Sequence, residues 1–267
     1  MRALLAACLL LACAPLVAAQ RVVSLAPSMS EIMLELGATD RLVGMLDGGE
    51  RPNGLAQVPS VGRFGTLELE TLLSLDADLI LLTPGSLPDA QQHQLQELGL
   101  PYYLGEPRSL EQLAEQFAEI GARVGRAERG RELRARFLSG VDGLRARYRR
   151  QVPVPVFYQI WHQPLYTIGT RQLIGEALAV CGARNVFDDL SLPAPQVSVE
   201  AVLAREPQVI LGGSGAELQH WQAWPQLPAV RLGQVWTVPD KGLERPSFQM
   251  LAATERLCKL LAGARLR

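Results

Sequence analysis

Three kinds of residue in this sequence could do chemistry: a serine flanked by glycines, three histidines, and an arginine beside a proline. Gly212-Gly213-Ser214-Gly215-Ala216 resembles a G-x-S-x-G nucleophile elbow, but its last position is Ala. A hydrolase of that kind needs an acid and then a late histidine after the serine. Only His220 follows, six residues on, so a secreted serine hydrolase is a remote reading. A zinc or manganese carrier would need several imidazoles and carboxylates converging. His93 falls on an expected surface helix and His220 beside Trp221, so no metal site is expected. His162 stands at the end of an expected strand, as a polar wall or as an axial ligand to a chelated iron or cobalt. The fork of donors on Arg245 suits a ligand amide, phosphate or carboxylate; the plainer alternative is a surface ion pair with Glu244. These groups serve binding better than catalysis, and no enzymatic activity is expected.

The elements that must position them belong to an exported, globular chain. Of 267 residues, 48% are hydrophobic and 20% charged, enough for a packed core. The net charge of −1 gives no nucleic-acid footprint. Residues 1–19 read as a signal peptide: Arg2, an apolar run to Val17, then Ala18 and Ala19 before Gln20. The run is shorter than the roughly 20 residues a spanning helix needs. Leu10-Leu11-Ala12-Cys13 is a loose lipobox, and lipid attachment at Cys13 is the less favoured alternative to simple cleavage into the periplasm. Of four cysteines, Cys181 and Cys258 remain after cleavage. In an oxidising compartment two such thiols suggest a disulfide, the alternative being two buried thiols.

Strand and helix signals alternate from residue 20 to 108: strands at 21–25, 78–82 and 102–104, helices after Pro27, at 67–75 and at 89–98. Ser28 or Ser30 is expected to cap the first helix, with Glu31 offsetting its dipole. Residues 109–151 are helical with a break near Gly125. Leu133, Phe137, Val141, Leu144 and Tyr148 form one apolar stripe on a helix of about 24 residues, about 35 Å long. That suits a strut between two lobes, although Gly130, Gly140 and Gly143 weaken it. Alternation restarts over 152–267, with strands at 154–160, 209–211 and 235–238 and helices at 173–181, 199–204 and 248–261. Leu69-Glu70 before the run to Leu81 is echoed by Val199-Glu200 before the run to Leu211, a weak internal duplication. The fold class is α/β, two parallel-sheet lobes joined by one long helix. Trp224 and Trp236 read as core.

The ordered set Arg21-Val22-Val23-Ser24-Leu25-Ala26-Pro27-Ser28, Leu69-Glu70, Cys181-Gly182-Ala183-Arg184-Asn185, Pro195-Gln196-Val197-Ser198 and Glu244-Arg245-Pro246-Ser247 resembles the periplasmic binding proteins for vitamin B12, haem and iron-siderophores, over the whole exported chain. It is most similar to their cobalamin-binding branch. The resemblance implies two Rossmann-like lobes on a backbone helix. It implies no resident cofactor and a bulky metal-chelate cargo, cobalamin or another corrinoid, with haem or an iron-siderophore as the alternative. The implied partner is an inner-membrane ABC permease dimer with a cytoplasmic ATPase, which fits a chain lacking a G-x-x-x-x-G-K-[ST] segment. It implies that Glu70 and Glu200 dock on that permease and that Cys181 pairs with Cys258. The plainer reading of each glutamate is relief of a helix dipole.

Ligands of such lobes bind beyond the carboxyl ends of the strands. That rule and the resemblance give Ala26, Pro27, Ser28, Gly48, Phe64, Gly65 and Thr83 on the first lobe, and Trp161, His162, Tyr166, Ala194, Gly242 and Arg245 on the second. Phe64 and Tyr166 keep the aromatics of the cobalamin binders. Gly48, Thr83, Ala194 and Gly242 replace bulky aromatics there, and Trp161 is an added one.

Overall fold

The run Leu79–Leu82 is apolar at every position, and Val22–Ser24 nearly so, which suits strands covered on both faces. In the computed structural model, which describes residues 18–48, 51–63 and 66–266, both are central strands of a six-stranded sheet. In chain order its lobe holds β1 (Val22–Ser24), α1 (Pro27–Glu35), β2 (Leu42–Asp47), β3 (Ser60–Arg63), β4 (Thr66–Leu67), α2 (Leu69–Ser74), β5 (Leu79–Leu82), α3 (Asp89–Glu97) and β6 (Tyr102–Leu104). The strand order is β4-β3-β2-β1-β5-β6, parallel except for β4.

Two helices follow, α4 (Leu110–Arg123) and α5 (Ala127–Tyr148), broken at Gly125, whose φ of +70° suits glycine. Ser109 caps α4 by accepting the Gln112 N–H at 3.0 Å. The 22 residues of α5 span about 33 Å. The glycine that lowers its helix propensity has a packing role. A Cβ on Gly130 would lie 2.6 Å from the Phe117 carbonyl oxygen, so the glycine lets α4 and α5 touch backbone to backbone.

The second lobe holds β7 (Val154–His162), β8 (Leu165–Thr167), α6 (Leu173–Val180), β9 (Ala183–Asn185), α7 (Val199–Arg205), β10 (Val209–Gly212), α8 (Gly215–Leu218), α9 (Pro228–Arg231), β11 (Val235–Thr237) and α10 (Gln249–Ala262). Its sheet runs β11-β10-β7, with β9 parallel to the first half of β7 and β8 antiparallel to the second.

One buried cluster runs through both lobes, from Val22 and Met29 through Phe117 and Phe137 to Val156 and Leu257. Phe117 of α4, Phe137 of α5 and Phe248 at the head of α10 pack with ring centroids 5.5, 6.0 and 5.9 Å apart. The strut is therefore part of the core of both lobes. Cys181 and Cys258 are bonded inside this cluster, tying the end of α6 to α10. Of the tryptophans, it is Trp221 that is fully buried, donating to Gln159 Oε1 at 2.8 Å. Trp224 and Trp236 are partly buried and pack against the core clusters; Trp236 lies on the edge strand β11. Among the described residues no helix is long and apolar enough to cross a membrane.

Candidate functional site

The tips of β1, β2 and β5 carry Ala26-Pro27, Gly48 and Thr83; those of β7 and β11 lead to Trp161 and to the turn before Arg245. Pro27, Gly48, Ser30, Glu31 and Arg51 of the first lobe line a crevice of about 10 Å³ where Arg245 reaches across from the second lobe. Gly48 is small because a Cβ there would lie 2.5 Å from the Pro27 ring, so the residue closes against α1 instead of offering a stacking surface. Ala26 is buried with its carbonyl taken by the amides of Met29 and Ser30; Ser28 is buried too. Gly242 is buried in a turn held by Asp240, whose carboxylate accepts its N–H at 2.8 Å. Thr83 is partly buried and Ala194 exposed. Phe64 and Gly65 lie outside the described residues.

Trp161 is 53% exposed and faces Tyr166 in the β7–β8 pairing, with its indole N–H held by the Gln163 carbonyl at 3.0 Å. A half-open indole fixed at its polar edge is a ready apolar wall. His162 points elsewhere. It lines a second cavity, of about 430 Å³, made wholly from its own lobe, with Leu165, Val199, Glu217 and His220. Ser214 caps α8 by accepting the Glu217 N–H at 3.3 Å, and His220 Nδ1 sits 2.8 Å from the Glu217 carbonyl oxygen. Serine and histidine each have a structural partner, which leaves no elbow chemistry to explain. Among the described residues no group of three or more His, Cys, Asp or Glu gathers to hold a metal.

Sequence reasoning missed the contacts that cross between the lobes. Neither Ser28 nor Ser30 caps α1, which starts at Pro27 without a side-chain cap; Ser30 donates to Ser24 Oγ at 2.8 Å instead. Glu31 is a full turn in and buried, and so serves no dipole; it accepts from Arg245 and Ser247. Arg245 therefore pairs across the lobes and not with Glu244. Glu35, one turn on, accepts the Phe248 N–H at 2.9 Å. Partners more than two hundred residues away leave no local signal, and helical spacing of two glutamates was the only hint available.

Burial pushes the Glu35 carboxyl up to about 7; the Phe248 amide pulls it down and the neighbouring Glu31 charge lifts it further. Between the ordinary 4.5 and about 7 the folded chain keeps a proton the unfolded chain releases. Its contribution to stability is thus complete below 4.5 and is lost as pH rises through about 7, by at most ~1.4 kcal/mol per unit. Urea denaturation across that window should show stability falling with pH, and Glu35→Gln should flatten the fall; an identical slope in the variant would refute the assignment. Glu176, raised by burial while the Leu110 amide pulls the other way, adds a slope of the same sign that the variant leaves in place.

Glu70 and Glu200 are both exposed, each in the first turn of a short helix. Helix α2 feeds β5, the parallel neighbour of β1; α7 feeds β10, the parallel neighbour of β7. A helix feeding a parallel strand runs back alongside it, so its first turn lies at the strand-tip end of the lobe. Both carboxylates thus stand at the end of their sheet where ligands bind. Glu200 is held below the ordinary carboxylate range by its own backbone N–H and the Ser198 hydroxyl.

A family profile described as "Periplasmic binding protein" matches residues 22–241. The vitamin B12-binding protein of Yersinia pestis is 32% identical over 254 residues, 93% of this chain and 89% of the relative. The crystal structure of the periplasmic vitamin B12-binding protein of Vibrio cholerae superposes with a TM-score of 0.82 at 31% identity, covering 91% of this chain and 97% of that one. The periplasmic haem-binding protein of Vibrio cholerae shares the fold, with a TM-score of 0.78 at 21% identity over 91% and 98% of the two chains.

Proposed function

The chain belongs to the periplasmic binding protein family, and from that premise we propose that it captures a corrinoid between its lobes and delivers it to an ABC importer. The observation that carries the ligand class is the likeness to vitamin B12-binding proteins, above 30% identity along nine-tenths of the chain. The cleft chemistry agrees. Trp161 and Tyr166 offer flat apolar surface to a macrocycle, and Arg245 offers donors to its amide or phosphate oxygens. Capture involves no chemistry. The loaded protein presents Glu70 and Glu200, one per lobe, to arginines of a two-fold permease, whose ATPase supplies the work. Residues 1–19 direct export, and the periplasm is where the Cys181–Cys258 bond forms.

Purified protein titrated in a calorimeter with cyanocobalamin, cobinamide and haemin tests this. Cyanocobalamin should bind with a Kd of about 1 μM or tighter and be recovered unaltered. The periplasmic haem-binding protein of Vibrio cholerae shares the fold, which makes haemin the competing ligand. Haemin binding tenfold tighter than either corrinoid would replace the ligand class while keeping the carrier.

A further inference from the structure

The contact between α1 and the segment 245–248 is built around a carboxylate that solvent barely reaches. Glu31 is 2% exposed, and both its oxygens are occupied: Oε1 accepts from Arg245 Nη1 and Oε2 from Ser247 Oγ, each at 2.8 Å. The partners lie 214 and 216 residues further along the chain, in the other lobe. A buried carboxylate without partners would be strongly destabilising, so the two bonds to Arg245 and Ser247 are what make this burial tolerable. Glu35, on the same helix face, takes the Phe248 N–H. The far end of α1 is held in turn by α5, where Arg129 Nε donates to the Glu35 carbonyl at 3.2 Å and Arg126 Nε to the Gly37 carbonyl at 3.1 Å. A loop that belongs to the second lobe by sequence is thereby fixed to the first.

Arg245 stands at the crevice between the lobes with 36% of its side chain exposed. Among the described residues only Nη1 is committed to a side-chain partner, which leaves the other N–H groups of the part-exposed fork available to a ligand. We propose that Glu31 is a positioning residue for ligand capture: by gripping Arg245 and Ser247 across the lobe boundary it holds the guanidinium in its binding orientation before ligand arrives. A long, flexible side chain ordered in advance loses less freedom on binding. The inference rests on the reading that the inter-lobe cleft receives the ligand, and it adds a residue that does not touch that ligand.

A double-mutant cycle on cyanocobalamin affinity tests it. Glu31→Gln should weaken binding by about tenfold in the native background, the scale of one lost charged hydrogen bond, and by less than about twofold when Arg245→Ala is already present. Ser247→Ala, which keeps the buried charge paired with Arg245 and so is the safer variant for folding, should weaken binding as well, and Ser247→Thr should restore it. Equal losses in both backgrounds would assign Glu31 a general structural role and overturn the proposal, as would native affinity in both Glu31→Gln and Ser247→Ala. Amide hydrogen exchange without ligand separates this from failure of the ligand reading: residues 245–250 should exchange faster in both variants. If the native protein takes up no cyanocobalamin, that exchange decides alone, and unchanged rates would overturn the grip itself.

Discussion

Reversing both Glu70 and Glu200 to arginine should reduce corrinoid uptake through the importer by more than about a hundredfold, while cyanocobalamin affinity stays within about twofold. The two carboxylates are exposed, and each stands in the first turn of the helix that feeds the strand beside its lobe's first strand. On the proposed docking to permease arginines, the reversal replaces a charge-assisted contact by like-charge repulsion, which costs several kcal/mol at an interface. A single reversal should leave partial transport, because the other lobe still docks. Neither change touches the cleft, and the loss of a favourable charge at a helix N-terminus costs only about 0.3–1 kcal/mol of stability. Uptake in vesicles carrying the reconstituted importer, measured beside binding by the free protein, checks both halves. Undiminished uptake by the double variant would remove the docking assignment.

Replacing Cys181 and Cys258 together by alanine should lower stability by about 4 kcal/mol and the melting temperature by about 10 °C or more. The bond closes a stretch of 77 residues, a long loop whose freedom in the unfolded chain the crosslink removes. Both residues are buried where α6 meets α10, so the alanines leave small cavities in the core that add to the loss. Ligand affinity measured well below the melting temperature should be preserved, because the bond joins α6 to α10 inside the buried cluster and not at the strand tips. A loss below about 1 kcal/mol in urea denaturation would mean that the unfolded chain is already constrained.

The parts of this fold legible in the sequence are those whose physics is local or periodic. Leu79–Leu82 reads as a strand covered on both faces and is one. The stripe Leu133, Phe137 and Val141 reads as the buried side of a long helix, and each of the three is buried. The pairing of Cys181 with Cys258, suggested by two thiols in an oxidising compartment and implied by the family resemblance, is present in the structure. The strands β8 and β9 stayed hidden: Leu165–Thr167 leaves β7 by a short reversal and Ala183–Asn185 has no run of strand-forming residues. Gly130 looked like a weakness in α5 until its contact with the Phe117 carbonyl gave it a reason.

The candidate site was less legible. Strand-tip reasoning finds Pro27, Gly48 and Arg245, which meet at the crevice between the lobes. It also gathers Ala26, Ser28 and Gly242, whose side chains or turns are packed away beneath the surface. His162 is sequence neighbour to Trp161 yet lines a cavity of its own lobe. Glu31 was read from its place in a helix alone, because nothing nearby in sequence announces a partner over two hundred residues away. Tertiary pairing of this kind is decided by the packing of two lobes and leaves no periodic trace.

The most direct test of corrinoid capture between the lobes is a crystal structure of the protein loaded with cyanocobalamin. The corrin ring should lie at the strand tips of both sheets, against Trp161 and Tyr166, with Arg245 in hydrogen-bond reach of a ligand oxygen and still bonded to Glu31. Density for the corrinoid in the cavity beside His162 and His220, or touching one lobe only, would contradict it.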